Sequence, residues 1–209
     1  MSGLSEQYNI ISHFISQYAG EGDLEQARRA VADIISVAER GNAKAQYMLG
    51  KYYSWGYHDD CDNRKAEYWF EKAAARGNVK AAELLFNLYR YDFPDDATER
   101  YRKRKFTHKW HYRWIEMLED KAAKGVAGAA EALMNLYVND CPDDIAPEKG
   151  VETACKWYNR WIEILRAKAD KGNMSAGKKL ADIIEYATGV PEEVMDLIDY
   201  DDSTDEYDD

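Results

Sequence analysis

Ala74-Ala75-Arg76-Gly77-Asn78-Val79-Lys80-Ala81-Ala82-Glu83-Leu84-Leu85 decides the fold, because its frame, Ala-x-x-Gly-x-x-x-Ala-x-x-x-Leu, occurs four times. The anchoring glycines are Gly41, Gly77, Gly125 and Gly172. Around each, the same residues return: alanine three before (Ala38, Ala74, Ala122, Ala169), a base one before (Arg40, Arg76, Lys124, Lys171), alanine four after (Ala45, Ala81, Ala129, Ala176) and leucine eight after (Leu49, Leu85, Leu133, Leu180). A residue just past a helix C-terminus commonly needs positive φ, which glycine adopts without a Cβ clash, and a base beside it suits the negative end of the helix dipole. The alanines lie one turn either side of the corner, where small side chains let two antiparallel helices approach closely. Leucine at +8, an apolar residue at +11 (Leu88, Leu136, Ile183) and tyrosine at +12 (Tyr53, Tyr89, Tyr137) continue the apolar face of the second helix. Each helix pair presents an apolar stripe that only a neighbouring pair can bury, so the pairs should stack.

The reading predicts an all-α chain, an α-solenoid of about four antiparallel helix pairs, with no strands and about ten helices. The pairs fall at about 24–56, 63–91, 97–139 and 147–188, inside one domain spanning 1–199. A capping helix is expected at 4–19, where Leu4, Tyr8, Ile11, Phe14, Ile15 and Tyr18 recur at helical spacing. The turn Gly20-Glu21-Gly22-Asp23 follows it, with Asp23 expected as the N-cap of the next helix. A second cap is expected at 191–199, opened by Pro191 and carrying Val194, Leu197 and Ile198, and an acidic tail at 200–209.

Ala66-Glu67-Tyr68-Trp69-Phe70-Glu71-Lys72-Ala73-Ala74-Ala75-Arg76-Gly77-Asn78 is similar to the pattern A-x-x-W-Y-x-K-A-A-x-x-G-N, and the stretch from Gly41 through Leu49-Gly50 to Tyr53 and Gly56 follows the matching second-helix pattern. On these residues the chain resembles the Sel-like repeat proteins, relatives of the tetratricopeptide repeats. The resemblance covers most of 24–188 and is closest in the first half. It implies a right-handed solenoid that serves as a protein-binding scaffold or adaptor without catalysis. The second half departs from it: the glycine spacing is 36, then 48, then 47 residues. Met117 and Ile164 stand where the family has tryptophan, while Trp114 and Trp161 lie three residues earlier. There the chain repeats a pattern of its own, Lys109-Trp110-x-x-Arg113-Trp114-Ile115-Glu116-x-Leu118 against Lys156-Trp157-x-x-Arg160-Trp161-Ile162-Glu163-x-Leu165. A helix from about Thr98 to Ala123 would run about 39 Å, long enough to line a groove or to cap a wider core.

The formal charge of −11 is concentrated at one end, since residues 192–209 hold ten acidic side chains and no basic one. Elsewhere 28 basic side chains nearly balance 29 acidic ones. The segment after Tyr200 has little to bury and either solubilises the chain or docks on a cationic surface. Asp59-Asp60-Cys61-Asp62, 92–96 and Asp140-Cys141-Pro142-Asp143-Asp144 follow successive second helices and read as helix caps that could also form an acidic stripe. One basic block opposes them: Arg100, Arg102, Lys103, Arg104, Lys105, Lys109 and Arg113, with His108 and His111 interspersed as expected solvated histidines. Local pairing with Asp96 and Glu99, docking of the acidic tail, or a phosphate partner would each account for it. A sequence pI of about 4.9 argues against nucleic acid.

Sequence offers no P-loop, dinucleotide fingerprint, HExxH or recognisable nucleophile with its base, so no cofactor or metal is expected and an enzyme is disfavoured. Ser175-Ala176-Gly177-Lys178 matches S-x-x-K alone and sits at a repeat helix start. Three cysteines without CxxC spacing point to a reducing, cytoplasmic setting. Ser12, His13, Ser16 and Gln17 interrupt any leader-like apolar run, and no stretch is long enough for a membrane span.

Aromatic content is high, with 16 Tyr and 6 Trp. Those beyond the repeat's needs are Tyr52, Trp55, Tyr57, Tyr91, Tyr112 and Tyr158, and tyrosine and tryptophan dominate protein-binding hot spots. With Asp201, Asp202, Asp205 and Glu206 they form the expected partner-binding set. The favoured expectation is an acidic partner that neutralises a basic protein, as an immunity protein blocks a toxin. An adaptor assembling signalling or regulatory components is the alternative, and a hydrolase with a cryptic groove comes last.

Overall fold

The computed structural model describes the backbone of residues 2–16, 21–54, 60–92 and 97–188, and the side chains of 4–15, 24–54, 60–91 and 100–184. Among the described residues the chain is all-helical: α1 (Ser2–Ser16), α2 (Glu21–Glu39), α3 (Ala43–Ser54), α4 (Asn63–Ala75), α5 (Val79–Asn87), a π-helical turn (Leu88–Asp92), α6 (Ala97–Ala123), α7 (Ala127–Asn139), α8 (Pro147–Ala169) and α9 (Met174–Thr188). The fold is an α-solenoid in which helices pack chiefly on their neighbours in sequence. It divides into two compact units, Met1–Met117 and Leu118–Asp209. The expected capping helix at 191–199 and the tail 200–209 lie outside the described residues.

The corners form for the reason the repeat suggests. Gly41, Gly77, Gly125 and Gly172 all have φ between 78° and 96°. At each, the glycine N–H donates to the carbonyl of the alanine three before, at 2.8–2.9 Å, and the next residue's N–H reaches back five positions, at 3.0–3.2 Å. These paired bonds satisfy carbonyls that a helix end otherwise leaves orphaned. The residue after the glycine then starts the next helix. The Oδ1 of Asn42, Asn78 and Asn173 accepts from the N–H of Ala45, Ala81 and Ala176 at 2.9–3.1 Å. At the third corner Val126 stands in that place and makes no side-chain cap.

In the unit Met1–Met117, the core of α1, α2 and α3 runs through Ile11, Ala27, Ile34, Ala38, Ala45 and Leu49, all fully buried. Gln46 is buried with them and donates Nε2 to the Ala38 carbonyl at 2.8 Å, closing the corner from inside. Gly50 is where α3 meets α4: a Cβ there would come within 2.4 Å of the Phe70 ring. Arg76 has a second role beyond the dipole, since its Nε donates to the Gly41 carbonyl at 2.7 Å and links two successive corners. In the unit Leu118–Asp209, Ala122, Ala129, Ala130, Leu133, Leu136, Trp161 and Leu165 are buried. There Lys179 of α9 reaches Glu131 of α7 at 2.7 and 2.9 Å.

Three expectations change on inspection. Asp23 lies inside α2, which begins at Glu21, so it is not the N-cap. In the first repeat the inward tyrosine is Tyr52, at +11, whereas Tyr53 is half-buried and packs edge-on against it at 5.3 Å. Leu49 and Tyr52 are i and i+3 on the inward face, which explains the choice. In the second and third repeats both the +11 residue (Leu88, Leu136) and the +12 tyrosine (Tyr89, Tyr137) are buried, as expected. His111 is buried and stacked on Phe86 at 4.4 Å instead of solvated, because it shares the inward side of α6 with Trp110 and Trp114. His108 is exposed as expected.

Candidate protein-interaction surface

Two polar clusters occupy the first unit. In one, the Asp60 carboxylate accepts from Arg28 Nε at 2.7 Å, from Arg28 Nη2 at 3.0 Å and from the Tyr52 hydroxyl at 2.5 Å. In the other, Glu67 accepts from the Tyr89 hydroxyl, from Arg102 Nη2 at 2.6 Å and from Arg64 Nη1 at 3.3 Å. Burial and then the bonded carboxylate push both phenols far above the ordinary tyrosine range. Phe106 stacks on Tyr89 at 5.1 Å, and the Arg102 guanidinium lies over the Phe106 ring at 5.4 Å. Two acidic loop residues are structural: Asp60 sits in the first cluster, and Asp62 caps α4 by accepting from the N–H of Arg64 and Lys65 at 2.9 and 3.1 Å, whereas α8 has Ala146 as N-cap and no side-chain cap.

The fold uses some of the aromatic residues and leaves others at the surface. Tyr52, expected at an interface, is 1% exposed and belongs to the core. Its hydroxyl found a partner eight residues on in Asp60, which sequence spacing did not disclose. Tyr91 is 64% exposed, beside Arg90, whose guanidinium lies 5.5 Å from the ring. Tyr112 is half-buried and packs on His108 at 4.7 Å, and Tyr158 is half-buried against Trp161 at 6.2 Å. Trp55, Tyr57, Asp201, Asp202, Asp205 and Glu206 lie outside the described residues.

Two exposed tyrosines were missed. Tyr68, half exposed, lies under Lys72, whose Nζ is 4.5 Å from the ring. Tyr101 is 77% exposed on α6. Helical geometry could have found both, because Tyr68 stands about 200° round from buried Phe70 and Tyr101 about 180° from buried Trp110 at 100° per residue.

The basic block resolves in the same way. Arg102 pairs with Glu67, Lys109 lies 3.9 Å from Glu71, and Arg113 reaches Glu116 at 2.5 Å. Arg104 and Lys105 are exposed and make no ion pair among the described residues. Asp96 and Glu99, the expected local partners, fall where side chains are not described. No group of three His, Cys, Asp or Glu among the described residues could hold a metal ion. None of the three cysteines is in a disulfide, and burial pushes the Cys141 thiol up, with Asp144 and Asp143 adding to the effect. No described helix is long and apolar enough to cross a membrane.

Corners, stacked faces and outward aromatics together define a helical-repeat protein of the α-solenoid type. No protein-family model and no curated protein matches the chain.

Proposed function

We propose that this chain is a non-catalytic protein-interaction module of Sel-like repeat type, working in the cytoplasm and binding a partner through aromatic side chains that its own fold does not use. The observation that carries the reading is the exposure of Tyr68, Tyr91 and Tyr101 on one unit, two of them beside a cation. Large amphipathic rings with few torsions are the side chains that most often anchor protein interfaces.

Its favoured role is to neutralise a basic protein, in the manner of an immunity protein. The ten carboxylates of 192–209 supply the charge for fast encounter and correct register. An adaptor is the second reading, and the exposed cations Arg104 and Lys105, which make no ion pair among the described residues, favour it, since they offer a surface of the opposite sign. Retrieval of partners on the full-length protein, followed by sedimentation of the reconstituted complex, tests both. A neutralising partner gives a tight one-to-one complex in which the bound protein loses its activity. An adaptor gives a ternary complex with two proteins bound at once. Failure of Tyr68→Ala, Tyr91→Ala and Tyr101→Ala, combined, to weaken any retained complex would overturn the module reading.

A further inference from the structure

The outward face of α6 carries a row of aromatic and basic side chains. Tyr101, Arg104, Lys105, His108 and Tyr112 recur at i, i+3, i+4, i+7 and i+11, which places them within about 60° of one line along the helix. Trp110, Trp114 and Met117 occupy the opposite side and are buried. The five outward residues span about 17 Å at 1.5 Å per residue. They carry two cations, an imidazole and two phenol rings, with no carboxylate in the row.

Stability of the helix does not explain Arg104 and Lys105. The flanking cations Arg102, Lys109 and Arg113 are each held by a glutamate. Arg104 and Lys105 project from the same helix without such a partner among the described residues. Like charges one residue apart repel, and neither gains from the dipole, because they stand in the N-terminal half of a 27-residue helix.

We propose that this row is a docking strip for an acidic, extended polypeptide segment of a partner protein. A strand rises about 3.3 Å per residue, so about five residues would cover the row, with two carboxylates over Arg104 and Lys105 and the exposed phenol ring of Tyr101 gripping one end. The proposal rests on the interaction-module reading and names the partner chemistry of one of its surfaces. An acidic polypeptide fits better than nucleic acid. Affinity for a phosphate backbone grows with the number of phosphates neutralised, and two exposed cations on a chain of net charge −11 neutralise few. A polypeptide adds hot-spot contacts to the tyrosines.

The test uses the full chain and a short fluorescein-labelled peptide of glutamate and tyrosine, followed by fluorescence anisotropy at low and physiological salt. The wild-type protein should bind it saturably and lose affinity as salt rises. Arg104→Glu with Lys105→Glu should weaken binding at least tenfold, while Lys121→Glu with Lys124→Glu, at another exposed pair, should leave it within about twofold. Circular dichroism on each variant separates lost binding from lost fold, and Tyr101→Ala gives a second variant that alters no charge and should weaken binding severalfold. Absence of binding, equal binding by the Arg104/Lys105 variant, or tighter binding of single-stranded DNA of equal charge would overturn the proposal. If the partner retained by the wild-type protein is kept equally by the Arg104/Lys105 variant, the strip fails while the module reading stands.

Discussion

Asp60 and Glu67 each accept hydrogen bonds from a tyrosine and an arginine, yet they sit at different depths and join different parts of the chain. Asp60 lies eight residues beyond Tyr52, and its side chain is 30% exposed. Glu67 lies on α4, is 9% exposed at its side chain, and holds Tyr89 and Arg102, which follow it by 22 and 35 residues. The same chemistry therefore does two jobs. One joins the end of α3 to α2 through a carboxylate that water still reaches, and the other binds α4, the π turn and α6 through a carboxylate that water barely reaches. Buried carboxylates without partners are costly, whereas surface pairs contribute little.

The largest effect should follow from breaking the deeper cluster. Glu67→Ala strands the Tyr89 hydroxyl and removes the shared acceptor of Arg64 and Arg102, and should cost about 3 kcal/mol in urea unfolding, given that both guanidiniums keep some solvent. Asp60→Ala should cost about 1 kcal/mol. Equal losses would end the distinction between the clusters. Glu67→Gln, which keeps an acceptor for Tyr89 but not the charge, should fall between them.

Alkaline pH addresses the two phenols. Tyr52 and Tyr89 are both 1% exposed, and burial is the foremost cause of their raised pKa. Their folded state favours the neutral phenol, so the stability they contribute is fully present below the unfolded value near pH 10 and is lost as pH rises above it. The slope approaches about 1.4 kcal/mol per pH unit for each tyrosine still protonated in the fold. Tyr52→Phe and Tyr89→Phe should each remove one such share of the slope between about pH 10 and 12, measured by urea titration. Equal shares would mean that both phenols stay protonated in the fold across that window. A smaller share for Tyr52 would mean that it ionises within the window, beside the more exposed Asp60.

The sequence made the corners legible because each is closed by residues within a few positions of its glycine. Gly77, Ala74 and Ala81 suffice to read helix, turn and helix. Clusters of the second kind were hidden for the converse reason. Nothing in the spacing of Glu67, Tyr89 and Arg102 links them until α4 and α6 are laid side by side, and Tyr52 looked surplus because Asp60 belongs to a run of acids that reads as a loop. The π turn at Leu88–Asp92 was equally invisible, because no residue type in that stretch marks the local change of winding. Exposed Tyr68 and Tyr101 were within reach, since each lies on the far side of its helix from residues already assigned to the core.

Surface polar contacts can also be added, which sharpens the comparison from the opposite direction. Val126 occupies the corner place that asparagine holds in the other three repeats, is 43% exposed, and makes no cap. Val126→Asn should gain about 1 kcal/mol by supplying an acceptor for the Ala129 N–H. A gain approaching the loss predicted for Glu67→Ala would mean that depth matters less than the two clusters suggest.

The smallest expected effect belongs to Arg28. Its two bonds to Asp60 have favourable bidentate geometry, at 2.7 and 3.0 Å, but its side chain is 42% exposed. Geometry and exposure thus point in opposite directions. Solvent and salt screen an exposed pair, and holding a long side chain in one pose costs entropy. Arg28→Ala should therefore shift the urea midpoint slightly at low salt and not measurably at high salt, whereas Arg102→Ala should destabilise in both, because its partner Glu67 stays buried. Were the Arg28 effect to survive high salt undiminished, the bidentate geometry would outweigh exposure, and Asp60 would have to be grouped with Glu67 as a structural anchor.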